Sequence, residues 1–318
     1  ADYTLKERMA ENSKNVYKLL DQLLDAYTPT AKAEYNEVQE LARSTQGKEF
    51  RLMPWDWSYY SDQLKNKKFS LNDEMLRPYF ELSNVKEGVF GLATRLYGIT
   101  FRKNSEIPVY HLDVDAYEVL DKDGSFLAVL YTDFHPRAGA WMTSFKGQWL
   151  DDQTGENSRP HITLVMNFTK PTESKPALLT FDEVNTFLHE FGHGLHGIFA
   201  NTHYESLSGT SVYRDFVELP SQIMENFAVE KDFLSTFAKH YQTGEIIPDT
   251  LVQRIIDSSN FNVAYACLRQ VSFGLLDMGW YTRTTPFTGD VKAYEQKAWE
   301  KAQILPVVEG TCMSAQFS

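Results

Sequence analysis

The sequence predicts a mainly helical chain carrying one small antiparallel β-sheet, an α+β fold. Three observations carry that expectation. Apolar residues recur three and four apart through most of the first hundred positions. Between Pro108 and about residue 170 the period shortens to two, and after Thr180 the helical spacing returns. The 42% hydrophobic and 14% aromatic content of the 318 residues is enough for a sizeable core. We therefore divide the chain into a helical region, 1–107, and a second region, 108–318, with strands over 108–170 and helices over 180–318.

KNVYKLLDQLLDAY sets Val16, Leu19, Leu20, Leu23 and Leu24 at helical spacing, and TPT at 28–30 is expected to end that helix. A second helix, roughly 31–44, leads to GKEF. PWDWSYYSDQL and LRPYFELSNVKEGVFGLATRLYG read as further helices, the latter stopping at Gly98. The aromatic density here reads as core packing, with a ligand-facing role for Trp55 or Trp57 as the lesser alternative. VYHLDVDAYEVL and SFLAVLYTDF flank DKDGS as a hairpin. Asp121, Asp123 and Gly124 lack the spacing and closing Glu of a calcium loop, so DKDGS is expected to be a solvated turn. HITLVMNF, 161–168, is a third strand, followed by the loop TKPTESKPA. Thr180 and Glu183 stand at capping-box spacing, so a helix starts at Thr180.

Asp and Glu outnumber Lys and Arg by 43 to 31, a formal charge of -12. A chain this acidic repels phosphate backbones, so nucleic acid is not an expected partner. Two cysteines, Cys267 and Cys312, build neither a disulfide framework nor a Cys-type zinc site. They fit a cytoplasmic location and are compatible with a periplasmic one. There is no run of about 18 apolar residues to span a membrane. The chain begins at Ala1, without an initiator Met or a signal-peptide pattern, so Ala1 is not expected to be the native start.

Residues 181–200 read FDEVNTFLHEFGHGLHGIFA. Val184, Phe187, Leu188, Phe191 and Leu195 give this helix a buried face. His189 and His193 lie one turn apart on one side, about 6 Å along the axis. Both imidazoles can reach a single ion at about 2.0–2.1 Å. Glu190 is rotated by about 100° from His189, close enough to touch a water on that ion. The alternative is a pair of buried, hydrogen-bonded histidines on a core helix. His196, three residues beyond His193, reads as a packing residue.

A third ligand decides the class. The extended pattern HExxHxxGxxH needs Gly at 196 and His at 199; His196 and Phe199 exclude it. A carboxylate from a later helix is the other source, and YRDFVELPSQIMENF offers Glu218, 25 residues after His193. Phe216, Val217 and Leu219 surround it, a setting in which an unpaired carboxylate is costly. A solvent-facing Glu is the plain alternative. Two His and one Glu leave a fourth position open, the arrangement of a catalytic zinc. The second ring nitrogens of the histidines need acceptors, for which Asp215 and Glu225 are candidates; both equally suit surface or capping positions.

HEFGHGLH followed by SLSGTSVYRDFVELPSQIMENF resembles the thimet-oligopeptidase and peptidyl-dipeptidase family of zinc peptidases. In detail it most resembles the bacterial peptidyl-dipeptidases (dipeptidyl carboxypeptidases). The likeness continues in FAKHYQTGEIIP and FGLLDMGWY downstream, and in PWDWSYY, RPYFELSNVKEGVFGLATRLYGITF and GAWM upstream, so it covers nearly the whole chain. It implies one Zn2+ ion held by His189, His193 and Glu218, with Glu190 as the base, the four residues that spacing also selects. It further implies a zincin-type core over 108–318, within an elongated helical peptidase whose site lies at the floor of a deep channel. Gly209 and Thr210 would belong to a loop lining that channel.

The implied activity is zinc-dependent hydrolysis of short unstructured peptides, with release of C-terminal dipeptides. An endo-acting oligopeptidase is the alternative, because no carboxylate anchor is evident; Arg214 and segments outside the chain are equal candidates. The family's His/Gly/Tyr-rich segment, expected to supply oxyanion donors, would begin just after EGTCMSAQFS. We therefore expect a fragment that pairs with remaining segments of its own full-length chain. As an isolated piece, it is alternatively a zinc- and peptide-binding unit without turnover. HPRAGAWM is also shorter than the family's stretch, through either a deletion or residues missing around 135–142.

Overall fold

A computed structural model describes residues 1–136, 144–146, 149–150 and 157–316. The shortened stretch HPRAGAWM lies largely outside these residues, and the expectation attached to it lies outside them too. The first helices are α1 (Asp2–Leu5), α2 (Ser13–Gln46), α3 (Trp57–Phe69), α4 (Asp73–Leu76) and α5 (Leu82–Tyr97). The strands follow: β1 (Thr100–Lys103), β2 (Asp115–Leu120), β3 (Phe126–Asp133), β4 (Ser144–Lys146), β5 (Trp149–Leu150), β6 (Asn157–Ser158) and β7 (His161–Val165). Then come α6 (Phe181–Ile198), α7 (Arg214–Val217), α8 (Leu219–Glu225), α9 (Lys231–Phe237), α10 (Asp249–Ser258), α11 (Val263–Tyr281) and α12 (Val291–Trp299). The chain is thus mainly α with a small sheet, as expected. No described helix is long and apolar enough to cross a membrane.

Packing divides the chain into two units, residues 1–71 with 257–318, and residues 72–256. The boundary at 107/108 marks a change of sequence period, a different quantity from this division. In the first unit α2 lies along α11. Leu24 and Ala31 pack with Ala264, Leu268, Val271 and Leu275. Asn12 caps α2 by accepting the Asn15 N–H at 3.0 Å. Glu34, on α2, accepts the Ala264 and Tyr265 N–H groups at 3.3 and 2.7 Å, so a side chain of one helix caps the start of the other. Trp57 stacks on Tyr265 with centroids 3.8 Å apart, which is the core role expected of it. Trp55 is 66% exposed and does not share that role.

TPT does not end a helix: α2 runs unbroken through Pro29. Proline forfeits one hydrogen bond to the carbonyl of Asp25. The apolar face continues past it through fully buried Ala31, Val38 and Ala42, and packing outweighs the local preference.

In the second unit the sheet order is β1-β2-β3-β7-β4, with β5 and β6 forming a separate two-stranded ladder. The expectation of a purely antiparallel sheet is corrected here. β7 pairs parallel to β3, from Val129↔His161 to Asp133↔Val165, and β4 joins β7 antiparallel on the far side. The helical reading of 1–107 also fails over β1, which pairs with β2 from Thr100↔Leu120 to Lys103↔Tyr117. The hairpin turn is as expected: Gly124 has φ 83, and Asp123 Oδ1 accepts the Ser125 N–H at 2.9 Å. LRPYFELSNVKEGVFGLATRLYG splits at Phe80 and Glu81 into a short helical turn that contains Pro78 and α5, which stops at Gly98 with φ 79.

Candidate metal centre

α6 begins with both halves of a capping box. Glu183 N–H donates to Thr180 Oγ1 at 3.0 Å, and Thr180 N–H to Glu183 Oε2 at 2.7 Å. Its apolar face is closed: Val184, Phe187, Leu188 and Phe191 are fully buried. On the side facing β7, a Cβ at Gly197 would stand 2.5 Å from Ile162 Cδ1, so the helix lies directly on the sheet. That seating fixes the direction in which the histidines project. The His189 and His193 rings are 5.0 Å apart at an interplanar angle of 85°.

The second approach is closer still. A Cβ at Gly192 would meet the Pro220 carbonyl oxygen at 2.3 Å and Ser221 Cα at 2.6 Å. Only glycine lets the backbone of α8 come this near α6. Glu218 occupies the junction of α7 and α8, two residues before Pro220. Its Oε2 thereby stands 3.3 Å from His189 Nε2 and 3.1 Å from His193 Nε2. Among the described residues, these three form the one group of His, Cys, Asp or Glu with ligand atoms within 4.8 Å of one another. Two atoms each bonded to a tetrahedral zinc at about 2.0–2.1 Å stand about 3.3–3.4 Å apart. The donor set and its spacing therefore fit that ion.

Further polar groups support the three. Glu225 Oε1 lies 2.6 Å from His189 Nδ1, while Asn185 Nδ2 donates to Glu225 Oε2 at 3.3 Å. Ser221 Oγ donates to Glu218 Oε2 at 2.8 Å. This hydrogen bond first, and the nearby His193 and His189 after it, hold the Glu218 carboxyl below its ordinary range. Of the two proposed acceptors, Glu225 reaches His189; Asp215 is exposed in the first turn of α7. Glu190 is half-buried on α6 beside His189.

Glu218 does not stand in the buried apolar setting expected of it. Its side chain is 48% exposed, and Phe216 and Leu219 are 43% and 56% exposed. The two imidazoles and Ser221 partner the carboxylate, rather than burial. His196 packs edge-on to Phe216 with centroids 6.2 Å apart; burial first, then His193, pushes its pKa down. Gly209, at φ 57, lines a pocket with Gly192, His196, Tyr97 and Leu207, and Thr210 is half-buried beside it.

Ser221, Asn185 and Gly192 are absent from the sequence reading. Gly192 had a signal: three glycines at 192, 194 and 197 inside one helix each cost about 0.8–1 kcal/mol relative to Ala, which implies close approach. Ser221 had a weaker one, three residues after Glu218 and so on the same helical side. Asn185 had none.

A family model described as peptidase family M3 matches residues 1–318. The chain is 40% identical to dipeptidyl carboxypeptidase of Escherichia coli (strain K12) over 325 residues, covering 100% of the chain and 47% of that protein. It is 38% identical to oligopeptidase A of Salmonella typhimurium over 294 residues, 91% of the chain and 43% of that protein. To saccharolysin of Saccharomyces cerevisiae it is 33% identical over 303 residues, 89% of the chain and 42% of that protein. The chain thus spans less than half the length of each of these relatives.

Proposed function

The chain belongs to peptidase family M3, and from that premise we propose that the protein hydrolyses short peptides at one zinc ion held by His189, His193 and Glu218, releasing C-terminal dipeptides. The observation that carries this reading is the convergence of one carboxylate oxygen on two imidazole nitrogens at 3.3 and 3.1 Å. Bound there, zinc supplies Lewis-acid polarisation of the scissile carbonyl and a more acidic water.

The remaining work falls to the chain's own groups. Glu225, accepting from His189 Nδ1, holds the proton on that nitrogen and leaves the Nε2 lone pair turned toward Glu218. Glu190 takes the proton of the attacking water and hands it to the leaving amine as the C–N bond breaks. Similarity to a protein named dipeptidyl carboxypeptidase supports dipeptide release. Similarity to oligopeptidase A supports internal cleavage as the second reading.

Incubating the full-length protein with a blocked-N-terminus peptide of known sequence, with metal content measured alongside, tests the proposal. Sequential C-terminal dipeptides and one zinc per chain are expected. Internal cuts select the second reading, and intact peptide in the presence of bound zinc overturns both.

A further inference from the structure

We propose that Ser221 is a positioning residue of the metal centre, whose hydroxyl holds Glu218 Oε2 toward the two imidazoles and thereby sets how tightly the ion is bound. The inference rests on the zinc reading above and extends it to a residue outside the ligand set.

Ser221 is fully buried in the first turn of α8. Its hydroxyl has a single proton and two acceptors within reach: the Glu218 backbone carbonyl at 2.9 Å and Glu218 Oε2 at 2.8 Å. The ionised carboxylate is the stronger acceptor, since charge-assisted hydrogen bonds are about twice as strong as neutral ones. Oε2 is also the oxygen that faces both Nε2 atoms. A carboxylate oxygen offers two lone-pair sites, so the hydroxyl occupies one and leaves the other for an ion.

That restraint matters because the group is only half-buried. The Glu218 side chain is 48% exposed, and the last torsion of a glutamate is broad and two-fold. Without the hydroxyl, Oε1 and Oε2 exchange and the carboxylate samples solvent-facing positions. The anchor itself is rigid with respect to the histidines. Ser221 Cα would stand 2.6 Å from a Cβ at Gly192, so its backbone lies directly against α6 between His189 and His193. Ser221 therefore ties the carboxylate to the helix bearing the imidazoles, not merely to its own.

A hydroxyl bonded to the carbonyl three residues back is also an ordinary local contact within a helix, with no bearing on metal. The two roles separate by measuring zinc affinity, through competition with a chromophoric chelator, beside the unfolding midpoint of the zinc-free protein. The measurements use the full-length protein as wild type, Ser221→Ala and Ser221→Cys; the thiol keeps the packing and donates weakly. Both variants are expected to lose about 10–100-fold in zinc affinity, a larger loss of free energy than the fall in stability of the zinc-free protein. Affinity within about threefold of wild type in either folded variant overturns the proposal. A fall in affinity matched by a fall in zinc-free stability also overturns it, in favour of a purely local packing role. Wild-type protein that takes up no zinc overturns the metal reading, and this inference with it.

Discussion

Glu190 sits one residue from His189, a rotation of about 100° that keeps it off the line of the two imidazoles. A carboxylate so placed lies outside the proposed ligand set, where it would carry a proton while its neighbours hold the ion. Glu190→Gln preserves size and removes the basic oxygen, so zinc content is expected to stay at the wild-type level. Turnover is expected to fall by on the order of 10²–10⁴-fold, the usual contribution of a general base. Near-normal turnover with zinc in place would remove Glu190 from the mechanism. At this scale the sequence was readable wherever chemistry follows spacing along one helix. His189, Glu190 and His193 stand within five consecutive positions, and helical geometry alone says which share a side. Glu218 was legible by its residue type and position, although the burial argument used for it was wrong. Ser221 and Asn185 were not legible, because a hydroxyl or amide in a helix has many unremarkable uses and only the packing of α8 on α6 selects this one.

That packing is a property of elements, and its narrowest point is Gly192. Both atoms that a Cβ would strike there, the Pro220 carbonyl oxygen and Ser221 Cα, belong to backbone and cannot rotate aside. Gly192→Ala is expected to push α8 off α6, costing about 1–3 kcal/mol or more and carrying Glu218 out of reach of the imidazoles. Gly91→Ala, in α5, is the control: nothing lies within 4 Å of its added Cβ. There the better helix propensity of alanine is expected to stabilise by about 0.5–1 kcal/mol. Denaturant midpoints and zinc content measure both, and a Gly192→Ala protein with wild-type stability and zinc would refute the crossing geometry. Legibility at this scale depended on how local the deciding contacts were. The capping box at Thr180 lies within four residues and was plain. The survival of α2 through Pro29 depends on Leu24 and Ala31 meeting α11, more than 200 positions along the chain. The parallel pairing of β3 with β7 and the pairing of β1 with β2 are likewise tertiary contacts. β1 is four residues long and mostly exposed, so it has almost no alternation to read.

For the whole molecule, the change of period at 107/108 says where strands begin, but it does not divide the packing. Residues 72–256 form one unit, and every group of the proposed metal centre falls inside it: Asn185, His189, Glu190, His193, Glu218, Ser221 and Glu225. The helices α2 and α11 belong to the other unit and contribute no ligand. This predicts where the energy of metal binding appears. An ion that binds only the folded state stabilises it by about 2.7 kcal/mol at a hundredfold excess over its dissociation constant. That stabilisation first suppresses the local openings that separate the ligands from one another. Stripping zinc from the full-length protein with a chelator is therefore expected to speed amide hydrogen exchange over α6, α7 and α8, with the largest change between His189 and Glu225. Exchange in α2 and α11 is expected to stay as it was. Equal loss of protection in both units would mean that the ion supports the whole fold rather than one crossing of helices. No change over α6 to α8 would mean that His189, His193 and Glu218 do not hold it.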